Sequence, residues 1–244
     1  MKGIYILGSH AFHLIYPERV HRQLAKLIQI EPILYTAESI LEHPEKLASA
    51  DFIFSGWGAP TLDEAFMAKA PNLKAFFYGA GSIRGMVTPA FWARNIPVCS
   101  AWAANAVPVA EYTLAQILFS LKLGWRHMRD ARVIGRNRRR LSVPGAYKSR
   151  VALISMGMIG RKVAELLKPF DIEVVAYDPF AGAELADKLH MKLVSLEEAF
   201  STADVVSLHT PWLKETENMI NGKLFASMKK DSTFINTARG AVVN

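Results

Sequence analysis

The feature that most constrains the fold is an apolar segment that ends in closely spaced glycines and is followed by a second apolar segment that ends in an acid. The first segment is Val151-Ala-Leu-Ile-Ser-Met-Gly-Met-Ile-Gly160, and the second is Ile172-Glu-Val-Val-Ala-Tyr-Asp178. The residues between them are enough for one helix, which is the usual connection between parallel strands. The order therefore predicts a βαβ unit in a parallel α/β sheet.

The same segment predicts a dinucleotide site. Gly157 lets the backbone approach a pyrophosphate because it has no Cβ, and Gly160 lets the helix pack close to its strand. The phosphates would lie at the N-terminus of the helix that begins near Met158, where unpaired N–H groups and the helix dipole favour anions. Asp178 is placed to accept both hydroxyls of an adenosine ribose, and its charge would repel a 2′-phosphate. We therefore expect NAD rather than NADP, with a ligand-free α/β domain as the alternative.

Ser155 departs from the usual Gly-x-Gly-x-x-Gly pattern, in which the first position is glycine. Serine can occupy this turn only if its φ is negative or the strain is compensated elsewhere. The spacing of the other glycines and the acid still matches the pattern, so we include Ser155 among the residues expected at the cofactor.

Length and composition limit the class of protein. The 244 residues, 51% of them apolar, suffice for a sizeable core in one or two domains. No apolar run reaches the ~18 residues that span a bilayer, and the short apolar start lacks the pattern of a signal peptide. The single cysteine, Cys99, excludes an internal disulfide and is typical of a reducing compartment. We expect a cytoplasmic protein with no membrane partner.

The net charge of +7 is concentrated in one basic stretch between residues 126 and 150. A nucleic-acid surface would be one explanation. The stretch has little aromatic interleaving and no motif of a nucleic-acid-binding fold, which favours a solvated connector beside an anion site and no nucleic-acid partner. The basic residues are Arg126, Arg129, Arg132, Arg136, Arg138, Arg139, Arg140, Lys148 and Arg150.

Strands and helices alternate in two halves of the chain, on either side of a helical stretch over Asn105–Arg129. We place the domain boundary between residues 102 and 103. In the first half we predict strands at Gly3–Leu7, Ile33–Tyr35, Asp51–Phe54, Leu73–Phe77 and Ile96–Cys99, and a helix over Pro17–Ile28. In the second half we predict strands at Arg150–Ile154, Glu173–Tyr177, Met191–Leu193, Asp204–Leu208 and Thr233–Ile235, and helices at Met158–Lys168, Ala181–Leu189, Leu196–Ser201 and Asn221–Met228.

Taken together, the motifs resemble the D-isomer-specific 2-hydroxyacid dehydrogenases, which include glyoxylate and hydroxypyruvate reductases and phosphoglycerate dehydrogenases. The resemblance implies an α/β protein of two parallel-sheet domains. Residues 1–102 would form a flavodoxin-like substrate-binding domain, and residues 103–244 a Rossmann-type NAD-binding domain that is incomplete at its C-terminus. The matching segments are Ser155–Asp178, Asp204-Val-Val-Ser-Leu-His-Thr-Pro211, Lys229-Lys-Asp-Ser-Thr-Phe-Ile-Asn-Thr-Ala-Arg-Gly240, Gly79-Ala-Gly-Ser-Ile-Arg-Gly85 and Asn105-Ala-Val-Pro-Val-Ala-Glu111.

The resemblance also implies a reaction, the transfer of a hydride between nicotinamide and the α-carbon of a small 2-oxo or 2-hydroxy acid. Arg239 would hold the substrate carboxylate and polarise the carbonyl, as suits a planar and permanently charged guanidinium. The backbone N–H groups of Ala80, Gly81 and Ser82 would bind the other side of the carboxylate. The resemblance adds further cofactor contacts to those expected from the glycine turn, which are Ser155, Gly157, Gly160 and Asp178. These are Met158 and Ile159 at the pyrophosphate, Thr210 and Pro211 beside the adenosine, and Thr237, Ala238 and Arg239 at the nicotinamide.

In the family, a glutamate and a histidine that supply the proton, and an aspartate that holds the nicotinamide amide, lie downstream of the arginine segment. Since this sequence ends at Asn244, we expect a truncated copy with weak or no activity, whose intact form is a homodimer. A non-catalytic NAD-binding regulator of the same fold is the alternative function.

Other polar and aromatic residues are weaker candidates. His209 lies at a strand end before a proline, where we interpret it as structural, with a direct role as the alternative. His10 and His13 follow the first strand, and Trp57 lies between two glycines where it could form a pocket wall. The sequence has no metal-ligand spacing and no Gly-x-Ser-x-Gly, so we expect neither a metal site nor a serine-hydrolase triad.

Overall fold

The computed structural model describes residues 1–133, 135 and 141–244. These residues form two compact units, Met1–Asn105 and Ala106–Asn244. Both units are parallel α/β structures, which confirms the predicted fold class. The predictions for Arg136 and for the arginines at 138–140 lie outside the described residues.

The first unit contains a five-stranded sheet in the order β2-β1-β3-β4-β5, with all neighbours parallel. This order is that of flavodoxin-like folds. The strands are β1 Lys2–Ile6, β2 Gln29–Tyr35, β3 Phe52–Ser55, β4 Ala75–Tyr78 and β5 Val98–Ser100. The helices are α1 Ser9–Ile15, α2 Glu18–Leu24, α3 Pro44–Ser49, α4 Glu64–Lys69 and α5 Pro89–Trp92, with a 3-10 turn at Ser39–Glu42.

The second unit contains a five-stranded sheet in the order β10-β9-β6-β7-β8, again parallel throughout. Read from β8, this is the strand order 3-2-1-4-5 of a Rossmann fold, which confirms the predicted type. The strands are β6 Ser149–Ile154, β7 Ile172–Tyr177, β8 Met191–Leu193, β9 Val205–Leu208 and β10 Thr233–Asn236. The helices are α6 Trp102–Leu121, α7 Gly124–Val133, α8 Met158–Leu167, α9 Ala183–Leu189, α10 Leu196–Thr202 and α11 Gly222–Ser227, with a 3-10 turn at Gly240–Val242.

Strand β6 has an unbroken apolar sequence because both faces of its sheet are covered. Successive side chains point to opposite faces of a strand. Val151 and Leu153 pack in one apolar cluster with residues of α6 and α8, while Ala152 and Ile154 pack in another with Phe200 of α10. A strand buried on both sides needs apolar residues at every position, which is the pattern the sequence shows.

The predicted helix over Pro17–Ile28 is wrong in its bounds, and a helix before it was missed. Pro17 is the N-cap of α2, with extended backbone (φ −61°, ψ 161°), and α2 ends at Leu24 so that β2 can begin at Gln29. Helix α1 buries only Ala11 and Phe12. Seven residues with two buried side chains produce too short a periodic pattern to be recognised.

The helical stretch predicted over Asn105–Arg129 consists of two helices, α6 and α7. Leu123 has a positive φ of 52°, which ends the helical path between α6 and α7. The ring of Phe119 packs edge-on against Trp125, with ring centroids 5.0 Å apart, and a Cβ at Gly124 would collide with that ring. In the described part of the chain, no helix has the combination of length and apolar character needed to cross a membrane.

Candidate functional site

The carboxyl ends of four strands bring the predicted cofactor residues of the second unit to one edge of its sheet. Ser155 directly follows β6, Asp178 follows β7, Thr210 lies just after β9, and Thr237 follows β10. The strand order reverses at β6, which pairs with β7 on one side and β9 on the other. In open parallel sheets, ligands bind in the crevice outside the strands at such a reversal.

The N-terminus of α8 is open at this crevice. Gly157 is the N-cap residue of α8 and has no side chain to bond the first N–H groups, which include those of Met158 and Ile159. A Cβ built on Gly157 would meet no atom within 4 Å. Uncapped N–H groups, the helix dipole and free space above the backbone are the requirements for an anion such as a pyrophosphate.

Gly160 has a different role from Gly157. A Cβ at Gly160 would collide with the carbonyl oxygen of Ser155. This backbone contact is the close approach of helix to strand that the glycine spacing predicts. Gly160 is therefore required by the protein's own packing, whereas Gly157 leaves room for another molecule.

Ser155 adopts a positive φ of 75°. A left-handed conformation costs a non-glycine residue roughly 1–2 kcal/mol. Two hydrogen bonds compensate this strain: the Ser155 N–H donates to the Tyr177 carbonyl at 2.8 Å, and the Ser155 hydroxyl bonds the Thr210 hydroxyl at 2.8 Å. Serine therefore replaces the first glycine here because its strain is compensated, and not because its φ is negative. The hydroxyl pair also joins the ends of β6 and β9 across the crevice.

Asp178 holds the glycine turn in place. One carboxylate oxygen, Oδ2, accepts the Met156 N–H at 2.6 Å, and the other, Oδ1, accepts the Phe180 N–H at 2.7 Å. The Arg161 side chain supports the same turn by donating to the Met156 carbonyl at 2.7 Å. A carboxylate has about four acceptor sites, so the half-buried Asp178 retains sites for two hydroxyl groups. Its contact with a ribose stays a prediction.

The turn after β10 carries Thr237, Ala238 and Arg239. The Asn236 side chain holds it by accepting the Ala238 N–H at 2.9 Å and donating to the Arg239 carbonyl at 3.2 Å. The exposed guanidinium of Arg239 donates through Nη1 to the Ala238 carbonyl at 2.7 Å. Its other N–H groups can still bind a carboxylate in the bidentate manner of arginine.

His209 lies at the same edge, between Leu208 of β9 and the buried Thr210; Pro211 beyond them is exposed. The ring is 9% exposed, and burial lowers its pKa to about 4. Nε2 lies 3.1 Å from the Ser207 hydroxyl and Nδ1 lies 3.4 Å from the Thr237 hydroxyl. The ring is therefore neutral near pH 7 and has a polar neighbour at each nitrogen.

In the first unit, Ala80, Gly81 and Ser82 follow the carboxyl end of β4. The Ser100 hydroxyl bonds the carbonyls of Ala80 and Gly81, at 3.2 and 2.6 Å. The segment is thus held through its carbonyl groups, which is compatible with its N–H groups serving a ligand. The proposed carboxylate contact itself stays a prediction.

His10, His13 and Trp57 lie near the carboxyl ends of β1 and β3. His10 and His13 are exposed on α1, and Trp57 is 45% exposed just after β3. The Trp57 carbonyl accepts the Gly8 N–H at 2.7 Å. The backbone of Trp57 is thus used by the fold, while its indole is available to line a pocket.

The sequence analysis missed three residues that shape this edge: Thr113, Ser207 and Asn236. Thr113 and Ser207 are fully buried, and each lies in a predominantly apolar element. A hydroxyl at a core position needs a hydrogen-bond partner, so a polar residue within an apolar run was the available signal. Asn236 follows no such pattern, because its role depends on the turn that it closes.

Residues 114–244 match the family D-isomer specific 2-hydroxyacid dehydrogenase, NAD binding domain. The chain belongs to this family. Among curated relatives, it is 30% identical over 190 residues to D-3-phosphoglycerate dehydrogenase of Synechocystis, and 31% identical over 211 residues to D-3-phosphoglycerate dehydrogenase 2, chloroplastic, of Arabidopsis thaliana. These matches cover 76% and 82% of this chain but 34% and 32% of the relatives. The chain thus spans about a third of their length.

Solved structures share the fold over nearly the whole chain. D-2-hydroxyisocaproate dehydrogenase matches with a TM-score of 0.81 at 21% identity, covering 100% of this chain and 72% of that one. Apo D-lactate dehydrogenase from Escherichia coli matches with 0.76 at 20% identity, over 100% and 76%. D-lactate dehydrogenase from Aquifex aeolicus, complexed with NAD and lactic acid, matches with 0.73 at 24% identity, over 99% and 70%. These likenesses confirm the fold, and the family match confirms the expected NAD-binding domain.

Proposed function

We propose that this chain binds NAD and takes part in hydride transfer between nicotinamide and the α-carbon of a small 2-hydroxy or 2-oxo acid. The observation that carries the proposal is the uncapped N-terminus of α8 beside the carboxylate of Asp178, both at the strand-order reversal of the second sheet. The space at Gly157 and the acceptor sites of Asp178 fit the pyrophosphate and the adenosine ribose of a dinucleotide.

On the cofactor side, the chain binds the dinucleotide and selects NAD over NADP. The first-turn N–H groups of α8, including those of Met158 and Ile159, bind the pyrophosphate. Asp178 accepts the two ribose hydroxyls, and its negative charge disfavours a 2′-phosphate. Thr210 and Pro211 would contact the adenosine, and Thr237 and Ala238 would contact the nicotinamide. The bound dinucleotide supplies the hydride chemistry.

On the substrate side, Arg239 orients the acid. Its exposed guanidinium would bind the carboxylate and polarise the neighbouring carbonyl. In the first unit, the N–H groups of Ala80, Gly81 and Ser82 are the proposed carboxylate donors. His209 is a poor donor for the proton that the reduced carbonyl must receive. Its pKa of about 4 leaves no ring proton that ionises near pH 7, and both nitrogens already have partners.

The proposal also covers the substrate class, the assembly and the location of the protein. The family match supports a small anionic 2-oxo or 2-hydroxy acid as the substrate. We infer a homodimer as the assembly and no nucleic-acid or membrane partner. We also infer a cytoplasmic location, in which Cys99, exposed and the single cysteine of the sequence, would stay reduced. Sedimentation of the purified protein tests the dimer directly.

Fluorescence titration of the purified chain with NADH and NADPH tests the cofactor half. We expect saturable binding of NADH, with NADPH weaker by at least about tenfold because of charge repulsion at Asp178. Reduction of a panel of short 2-oxo acids, including glyoxylate and hydroxypyruvate, tests the chemical half. If the chain binds no NADH, the proposal fails. If NADH binds but no acid is reduced, the alternative function, a non-catalytic NAD-binding regulator, is favoured.

A further inference from the structure

A series of hydrogen bonds crosses the second sheet from β9 to α6 through His209. The Ser207 hydroxyl lies 3.1 Å from Nε2 of the ring, and the Thr237 hydroxyl lies 3.4 Å from Nδ1. The Thr113 hydroxyl donates to the Val109 carbonyl at 2.8 Å and lies 3.3 Å from the Thr237 hydroxyl. The turn after β10 is therefore connected to both a central strand and a long helix.

The series of hydrogen bonds selects one neutral tautomer of the ring. A neutral imidazole has one N–H donor and one acceptor nitrogen, and a hydroxyl can serve as donor or acceptor. The Thr113 hydroxyl donates its one proton to the Val109 carbonyl, so the Thr237 hydroxyl donates to Thr113 and accepts the Nδ1–H of His209. Nε2 then accepts from the Ser207 hydroxyl. Burial keeps the ring neutral, since the charged form would lose the solvation it has in water.

The backbone of His209 places the ring accurately. Its N–H donates to the Ile154 carbonyl at 2.9 Å, which continues the pairing of β9 with β6 beyond the strand ends. The ring thus projects from the most central part of the sheet. Ser207 and Thr113 are fully buried, so both fixed ends of the series are in rigid surroundings.

We propose that His209 is a positioning residue that sets the location of the Thr237–Arg239 turn for the cofactor and the substrate, a role that rests on the function proposed above. Asn236 holds the internal shape of that turn, but its two bonds lie within the turn. His209 connects the turn to β9 beyond the last strand pair, Asn236 with Leu208, and Thr113 connects it to α6. Without it, the turn keeps its shape but loses its register against the nicotinamide site.

A first experiment needs no ligand. With ¹⁵N-histidine in the whole chain, the ring of His209 should show one protonated and one bare nitrogen at pH 7, with no averaging between tautomers. Averaged nitrogen shifts, or a ring that titrates near its ordinary pKa of 6.5, would show that the bonds do not hold the ring and would overturn the proposal.

A second experiment uses two amide replacements of similar chemistry. The terminal amide of His209→Asn reaches the position of Nδ1 and can bond Thr237, whereas that of His209→Gln reaches the position of Nε2 and bonds Ser207 instead. We expect NADH affinity within about twofold of wild type for His209→Asn and about tenfold weaker for His209→Gln, the change expected for one buried hydrogen bond. Equal affinities of the two variants, whether high or low, would overturn the proposal.

Variants of Thr113 test the other end of the series, in case either amide variant fails to fold. Thr113→Val has the same shape but no hydroxyl, and Thr113→Ser keeps the hydroxyl. We expect Thr113→Val to weaken NADH binding severalfold and Thr113→Ser to restore it. Equal binding by both variants contradicts the proposal. If the wild-type chain binds no NADH, the proposed function fails, while the ¹⁵N spectrum still decides whether His209 holds the turn.

Discussion

The two sheets reverse their strand order at equivalent strands, β1 in the first unit and β6 in the second, but the two crevices are built differently. Beyond β1, the Gly8 N–H bonds the Trp57 carbonyl at 2.7 Å, and a Cβ at Gly58 would lie 2.6 Å from the Gly8 nitrogen. Beyond β6, a Cβ at Gly157 would meet no atom within 4 Å. The first crevice is thus bridged by backbone, and the second is open to a ligand.

This difference shows that strand order permits a site but does not create one. The glycines near β1 serve the protein's own close contacts, whereas Gly157 leaves N–H groups of a helix unpaired. The hydroxyl pair of Ser155 and Thr210 and the carboxylate of Asp178 lie at the edge of the second sheet, beside these N–H groups. Substitutions at the residues that bridge the first crevice or shape the second one test this contrast.

Gly58→Ala should have the largest effect. Gly58 has a φ of 82° and its missing Cβ faces backbone, so alanine there combines a strained conformation with a collision. We expect a loss of about 3–4 kcal/mol of stability in the first unit. Hydrogen exchange resolved by residue should show the loss in β1 and β3. NADH affinity should stay within about twofold of wild type, because the open crevice belongs to the second unit; a large fall would contradict the contrast.

Acid should destabilise the second unit through His209. The pKa of its ring is about 4 in the folded chain against 6.5 when unperturbed. Because the unfolded state binds the proton first, stability falls as the pH drops from about 6.5 towards 4, by up to about 3 kcal/mol. Urea unfolding of wild type and His209→Asn at both ends of this range isolates the histidine from titrating carboxylates. Parallel stability curves for the two proteins would refute the assignment.

Asp178→Ala should weaken NADH binding by about a hundredfold, because it removes a charged acceptor from the ribose and the tie to the Met156 N–H. Asp178→Asn is the matched control. Its one carboxamide oxygen can keep the tie to the turn, so it should bind NADH better than the alanine variant and should discriminate less against NADPH. Unchanged NADH affinity in Asp178→Ala would show that the acid does not reach the ribose.

The variants Gly160→Ala and Gly157→Ala distinguish a glycine that the protein's packing requires from one that leaves space for a ligand. Alanine at residue 160 collides with the Ser155 carbonyl, so we expect a loss of about 2 kcal/mol in stability of the second unit. Alanine at residue 157 meets no atom and its φ of −69° is ordinary, so stability should change by less than about 0.5 kcal/mol. Its methyl group would still weaken NADH binding by occupying the phosphate space. A large loss of stability in Gly157→Ala together with unchanged stability in Gly160→Ala would contradict these assignments.

Ser155→Gly should change stability least. Glycine relieves the strain of a φ of 75° but loses the hydroxyl bond to Thr210 and adds freedom to the unfolded chain. These contributions nearly cancel, within about 0.5 kcal/mol. Ser155→Ala keeps the strain and loses the bond, and it should cost about 1 kcal/mol by urea unfolding. If Ser155→Ala were as stable as wild type, the hydroxyl pair would not be the compensation for the strain.

Much of the fold was accessible from local patterns. Strand Met191–Leu193 was predicted with the bounds that the structure shows, and β6, β7 and β9 were displaced by one residue at most. Helix α1 and the break at Leu123 were not found. The first is too short for periodicity, and the second depends on the packing of Phe119 against Trp125, which no local pattern encodes.

The candidate site shows the same division. The glycines and Asp178 were found because a βαβ unit places them at fixed spacing. The links from Thr113 to Thr237 and from Ser207 to His209 were not found. Thr113 and Thr237 lie 124 residues apart in sequence. The link from Ser207 to His209 matters only because the His209 ring is buried, which the sequence does not show.

The sequence by itself determined the parallel α/β class, the family and the turn at Ser155–Gly160, because periodicity and motif spacing are local properties that neighbouring residues encode. Only the tertiary structure decided that the strain at Ser155 is offset by Thr210, that Asp178 already supports the turn, and that the crevice beyond β6 is open while the one beyond β1 is bridged. These are distances between segments far apart in the chain. They arise when strands pair and helices pack, since hydrogen bonds and excluded volume act in space and not along the sequence.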